Sequence, residues 1–340
     1  MKSRDQNDVK IKTRAKLKTF ETLHTLAGRN IADKEAPIYK KYRQEWADRP
    51  IRQDAGAFPL HIDLESTSAC NLRCSFCWAE TMRDDGGFLK REIAVKIFEE
   101  GSLHGLSAVK FNLRGEPLLH PELHKLVHDS KQSGLVDVFF NTNGLLLTEE
   151  KSIQLIEAGL DRITISCEGY NEDSYRKYRD GASFDTLVNN VKTLQKMKKY
   201  FETNKPQVRV QAVLLPEIIP LLDKYKSFWE TIADEVSCRE YQDLDSIEDV
   251  VVSSWVCPSV FQRISVLWDG TVLPCDRDLK VENPLGNVKD VSIHKIWTGD
   301  FMNKMRQSHI VGRSHEVDIC RRCPFREREI KKLEIKLANE

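Results

Sequence analysis

The stretch STSACNLRCSFCWAE, residues 66–80, places cysteines at 70, 74 and 77 directly after the strand-length run HIDLE (61–65). From that run onward, strand-length and helix-length segments alternate. AVKFNLR (108–114), VDVFFN (136–141), RITISC (162–167), QVRVQAVLL (207–215) and DEVSCREY (234–241) are separated by helical stretches at 91–104, 121–133, 148–158, 184–200 and 219–232. This texture is that of parallel βαβ units. Six such units predict an α/β fold, a partial (β/α)6 TIM-like barrel over residues 56–245. Turn chemistry agrees: NTNG (141–144) ends one strand run, Pro121 stands where a helix should begin, and Gly159 follows another helix. In barrels of this kind chemistry collects at the C-terminal strand ends, and Cys70, Gly115, Asn141 and Ser166 all fall at or just after such ends.

Outward from the barrel, residues 1–55 read as a charged helical extension with no strand signal, carried by IYKKYRQEWADR. Residues 246–340 change to turns, glycine, proline and cysteine. Within them the hairpin-like RISVLWDGTVLPC has a turn signal at Asp269-Gly270. A module this small is expected to need a metal to support its core.

The chain has 340 residues, 52 Lys+Arg against 52 Asp+Glu, and nine cysteines. Zero formal net charge gives no reason to expect nucleic acid or an anionic membrane as partner, so a small-molecule substrate is expected. No apolar run reaches signal-peptide or membrane-span length, which predicts a cytoplasmic protein. Thiols stay reduced there, so crowded cysteines read as metal or catalytic ligands before disulfides.

Iron-sulfur cubes ordinarily take four thiolates. Three in one loop leave an iron open to a substrate or cofactor, as the open position does in catalytic zinc sites. The spacing C-x3-C-x2-C, with Phe76 just before the last cysteine, resembles the radical S-adenosylmethionine (SAM) superfamily. The resemblance implies that Cys70, Cys74 and Cys77 hold a [4Fe-4S] cluster whose open iron chelates S-adenosyl-L-methionine, and that a 5′-deoxyadenosyl radical then takes hydrogen from substrate. It also implies an external reductant such as flavodoxin or ferredoxin. RGEP (114–117) is similar to the family's GGEP motif, with Arg114 in place of the first glycine. There Glu116 would accept from the methionine amine, and Gly115, beside Pro117, would allow close backbone approach. Asn141 and Asn143 of NTNG would line the ribose, unless the segment is a plain Asn-Gly turn. Ser166 and Arg179 would sit near the methionine carboxylate, with Arg176 competing for the arginine's place.

Cys257, Cys275, Cys320 and Cys323 form a second set, C-x12-G-x4-C followed by C-x2-C. Four thiolates fill one cluster or one structural zinc site. WDGTVLPC, PLGNV and IW resemble the SPASM and twitch auxiliary-cluster modules. No cysteine follows Cys323, which implies one auxiliary [4Fe-4S] cluster and the twitch-like form. A fully ligated cluster of this kind would pass electrons.

Cys167 and Cys238 remain. Cys167 stands where relatives often carry an acidic residue. Either thiol could donate hydrogen in an epimerisation or be a small buried apolar side chain, and Arg239 and Tyr241 could face substrate. The expected activity is oxidation or epimerisation of a sugar or cyclitol-like molecule by a radical SAM oxidoreductase. A peptide maturase acting on a ribosomally made precursor is the rival enzyme, and a non-catalytic iron-sulfur or zinc protein the rival outside enzymes.

Overall fold

The computed structural model describes residues 23–28, 36–77, 86–241, 255–326 and 329, the first segment by its backbone alone. The expected boundary at 245–246, the start of the N-terminal extension and the end of the C-terminal tail lie outside the described residues.

In chain order the first half comprises β1 (Leu23–Gly28), α1 (Pro37–Arg52), β2 (His61–Leu64), α2 (Arg91–His104), β3 (Ala108–Lys110), α3 (Leu123–Gln132), β4 (Asp137–Thr142) and α4 (Glu149–Glu157). Then come β5 (Arg162–Ser166), α5 (Glu172–Arg176), α6 (Phe184–Tyr200), β6 (Gln207–Leu214), α7 (Leu222–Trp229) and β7 (Glu235–Glu240). The C-terminal part holds α8 (Ser259–Gln262), β8 (Arg263–Val266), β9 (Thr271–Leu273), β10 (Gly286–Asn287), α9 (Ile293–Trp297), α10 (Asp300–Ile310) and α11 (Asp318–Arg321). Local chemistry sets the helix ends. The Thr148 hydroxyl accepts from Lys151 N–H at the start of α4, Glu149 and Glu150 follow in its first turn, and Gly159 beyond its end has φ 83°.

Strands β2 to β7 are parallel neighbours in sequence order, the six units of a partial barrel. Along β6 the side chains alternate: Val208, Val210, Ala212 and Leu214 are buried in the core under the helices, while Gln207, Arg209, Gln211 and Val213 take the lumen face. The same parity puts Asp63, Lys110, Asn141, Thr164 and Ser166 on the lumen face. The lumen is therefore polar, and near the N-terminal strand ends it is crossed by the pairs Arg162–Asp137 (2.8 Å) and Arg209–Glu235 (2.9 Å).

Two features depart from expectation. The N-terminal extension is not wholly helical: β1 pairs antiparallel with β7. Backbone pairing at a sheet edge asks little of side-chain alternation, so LHTLAG gave no strand signal. The C-terminal hairpin is also no separate body, because β8 lies parallel to β2 and the ten strands form one sheet in the order β1-β7-β6-β5-β4-β3-β2-β8-β9-β10. Helix α1 closes the N-terminal mouth of the barrel. Its Tyr39 and Tyr42 pack with Leu60, Ala108 and Val136, which lie at the starts of β2, β3 and β4, and Trp46 meets His61 edge-on at 5.8 Å. Among the described residues no helix is long and apolar enough to cross a membrane.

Candidate active site and cluster pockets

The three-cysteine loop leaves β2 at the C-terminal mouth of the barrel and is held from below by the RGEP segment. Glu116 N–H donates to Ala69 O at 2.8 Å. A Cβ on Gly115 would come within 2.2 Å of Thr67 O and 2.6 Å of Ala69 O. The backbone of the cysteine loop therefore lies directly against Gly115. Arg114, the departure from the family motif, forks onto Glu65 at 2.8 and 2.9 Å, and its own N–H also donates to Glu65. Glu65 is fully buried and is also 3.4 Å from Trp268 N on the C-terminal hairpin.

Glu116 is buried and tied within the chain: it accepts from Thr142 Oγ1 (2.5 Å), Leu118 N–H (3.0 Å) and Asn143 N–H (2.8 Å). Burial raises its carboxyl above the ordinary range against the pull of these donors. Asn143 donates to Asn71 Oδ1 at 2.8 Å and accepts from Leu145 N–H, so its amide joins NTNG to the cysteine loop. Asn141 and Ser166 lie half-buried on the lumen face, one strand apart, at the ends of β4 and β5.

Cys74 is buried, and its thiol is pushed up to about 11 by burial, with Arg179 opposing and Glu168, Cys77 and Cys70 reinforcing. Arg179 Nη1 lies 3.7 Å from Cys74 Sγ, its Nε donates to Glu168 at 2.5 Å, and its guanidinium stands 5.7 Å from the centre of the Phe76 ring. Burial alone would lower Arg179, but Glu168 and Cys74 hold it well above its ordinary value. Arg176 is exposed and pairs with Glu172, so of the two arginines Arg179 is the one at the cluster loop.

Cys257, Cys275, Cys320 and Cys323 line one pocket together with Arg263, Asp276 and His309. Burial pushes Cys257 up to about 12, with Cys323 adding to it, and holds Cys275 and Cys320 well above the usual thiol range. Arg263 on β8 spans from the pocket to the lumen, 3.0 Å from Asp276 and 3.4 Å from Asp63. His309 Nδ1 accepts from Cys257 N–H at 3.3 Å, and its Nε2 is 3.3 Å from Cys320 Sγ. Burial, with Arg326, brings His309 down to about 4.

A profile described as the radical SAM superfamily matches residues 64–216, and one described as an iron-sulfur cluster-binding domain, SPASM, matches residues 257–324. A probable GTP 3′,8-cyclase of Methanococcus maripaludis is 30% identical over 269 residues, 67% of this chain and 89% of that protein. The chain belongs to the radical SAM superfamily. A tungsten-containing aldehyde ferredoxin oxidoreductase cofactor-modifying protein of Pyrococcus furiosus is 25% identical over 289 residues, 71% of this chain and 81% of that one. Two solved structures share the fold. BtrN in complex with AdoMet and 2-DOIA has a TM-score of 0.52 at 20% identity, covering 77% of this chain and 91% of that one. Streptococcus suis SuiB bound to precursor peptide SuiA has a TM-score of 0.56 at 14% identity, covering 88% and 78%.

As a radical SAM enzyme with a SPASM domain, the chain takes a [4Fe-4S] cluster, S-adenosylmethionine and auxiliary iron-sulfur. The residues present fit these groups. Three mutually influencing thiols share a loop held tight by a glycine that admits no Cβ. Four more surround one pocket, although among the described residues no three His, Cys, Asp or Glu side chains converge as ligands of a single ion. Four thiols around one pocket suit a thiolate-ligated cluster.

Cys167 and Cys238 do not reach the lumen. They are 0% and 1% exposed in the core between sheet and helices, both close enough to Tyr225 on α7 to influence its hydroxyl. Strand parity turns Cys238 outward and its neighbour Arg239 inward, where Arg239 is level with Val213. Both thiols are thus buried away from the lumen face, and Cys167 Sγ donates to Gly169 O at 3.2 Å. Tyr241 is exposed beyond the end of β7. Sequence reasoning missed Glu65, Thr142, Glu168 and His309. Glu168 was within reach: the acidic position anticipated at 167 is occupied one residue later.

Proposed function

We propose that this enzyme abstracts hydrogen from a small polar substrate of sugar or cyclitol type and completes an oxidation or epimerisation, with the auxiliary cluster exchanging the electron. The observation that carries the reading is the polar lumen: Ser166 and Gln211 are cross-strand neighbours on β5 and β6, and Arg239 follows on β7. Hydroxyl, amide and guanidinium groups there can hydrogen-bond a polyhydroxylated molecule.

When bound, the cluster and S-adenosylmethionine supply a carbon radical that removes a hydrogen atom. The chain's own residues position the partners. Cys70, Cys74 and Cys77 hold the first cluster, and Arg179, fixed by Glu168, places a permanent positive charge at Cys74. Asn141 and Ser166 offer lumen-facing groups to the cofactor, with Phe76 alongside. Cys257, Cys275, Cys320 and Cys323 fill the auxiliary cluster, which leaves it no open iron and suits electron transfer. Flavodoxin or ferredoxin is the proposed donor.

Action on a nucleotide is the second reading, favoured by the 30% identity to the Methanococcus maripaludis protein; action on a peptide is a third, supported by the SuiB likeness in fold alone. The test is anaerobic reconstitution followed by a reductant-driven assay for 5′-deoxyadenosine with sugar and cyclitol panels, GTP and peptides as separate arms. Stimulation by a polyol, with a carbonyl or inverted product, supports the proposal. Stimulation by GTP or a peptide alone overturns it.

A further inference from the structure

His309 stands between two of the four thiols of the C-terminal pocket. It occupies the last turn of α10 and is fully buried, with the Trp255 ring edge-on at 5.9 Å. Its Nδ1 is 3.3 Å from the Cys257 amide nitrogen, whose N–H points at it. A ring nitrogen that accepts a hydrogen bond carries no hydrogen of its own. The hydrogen of the neutral ring therefore sits on Nε2, and Nε2 faces Cys320 Sγ at 3.3 Å. The backbone of one cysteine thus sets the tautomer that addresses the sulfur of another.

We propose that His309 is a positioning residue of the auxiliary cluster: it donates Nε2–H to Cys320 Sγ and thereby raises the cluster's reduction potential. Reduction adds negative charge that the ligating sulfurs share, so a fixed donor at one sulfur favours the reduced state. His309 is fully buried, so bulk solvent does not reach the ring. The inference rests on reading Cys257, Cys275, Cys320 and Cys323 as cluster ligands and is independent of the substrate.

The test uses the full-length chain with Cys70, Cys74 and Cys77 replaced by Ala, so that only the auxiliary cluster loads, and compares His309 with His309→Phe and His309→Gln. Iron and sulfide content are measured first, then the midpoint potential by an EPR-monitored titration. His309→Phe is expected to lower the equilibrium constant for reduction about tenfold, which is about 59 mV for one electron. His309→Gln, whose amide can still donate, is expected to recover most of the difference. Because the phenylalanine variant can fail to load, nitrogen-15 NMR of the unsubstituted histidine supplies a second readout, with the Nε2–H tautomer expected. Equal potentials in loaded variants, or an Nδ1–H tautomer, overturn the proposal while leaving the cluster intact. A chain that binds no iron at these cysteines overturns the ligand reading and the proposal with it.

Discussion

Arg114 stands where the family motif carries glycine, and the chain answers it with one residue. Glu65 takes both prongs of the guanidinium and an amide hydrogen besides, with neither side chain exposed to more than a few percent. Removing one partner of such a pair strands a buried charge. Arg114→Ala is therefore expected to cost about 3–5 kcal/mol in a urea melt, while Arg114→Met with Glu65→Leu recovers most of it; equal losses in single and double variants would contradict the pairing. Gly115→Ala forces the loop upward, because its Cβ meets two carbonyl oxygens on rigid backbone. The expected result is about 1–3 kcal/mol of lost stability and poor iron retention at the first cysteine set, read by iron analysis against unchanged loading of the second. At this scale legibility follows distance along the chain. Cysteine spacing and the glycine are local patterns, and the sequence displays them. Glu65 lies 49 residues from Arg114 and His309 lies 52 from Cys257, so only folding reveals either partnership.

The barrel strands were legible because burial on one face and a polar lumen on the other leave a period of two, as β6 shows most clearly. Helix α1 was legible as a helix, but nothing in its periodicity said that it would stopper the barrel. Its tyrosines enter the mouth beside Asp137 and Arg162, and burial raises Tyr39 from about 10 up to about 12, with Asp137 adding to the shift and Arg162 opposing it. Tyr42 is raised as well, for the same leading reason. A phenol whose folded value lies above its unfolded one binds its proton more tightly when folded. The stability it contributes is complete below about 10 and is lost as the pH climbs through about 12. Melts taken across that window should show the loss, and Tyr39→Phe with Tyr42→Phe should flatten it. A slope unchanged by the double variant would mean the phenols do not titrate with the fold.

For the whole molecule, the ten-stranded sheet makes the two cysteine sets parts of one construction. β8 completes the hydrogen bonding of β2 from Leu60 to Glu65, with Leu60 N–H donating to Gln262 O and Glu65 N–H to Val266 O. The same junction pairs Asp63 with Arg263, whose influence with Lys110 holds the fully buried Asp63 carboxyl well below its ordinary range despite the cost of burial. A chain ending at residue 241 would keep all six barrel strands and still lose these contacts. It would expose the edge of β2, bare the apolar surface that Phe261, Ile264 and Trp297 now cover, and leave Asp63 with Lys110 at 2.8 Å and the buried His61 ring at 3.4 Å. The expected outcome is aggregation or a melt without cooperativity, measured by sedimentation and near-ultraviolet circular dichroism. The control is the full-length chain with Cys275→Ala and Cys320→Ala, which removes two auxiliary thiols but keeps β8 and β9. That variant should melt cooperatively and load iron at Cys70, Cys74 and Cys77. If the truncated chain did the same, β8 would be an appendage; if only the full-length variant does, the radical cluster's loop depends on strands supplied from beyond residue 241.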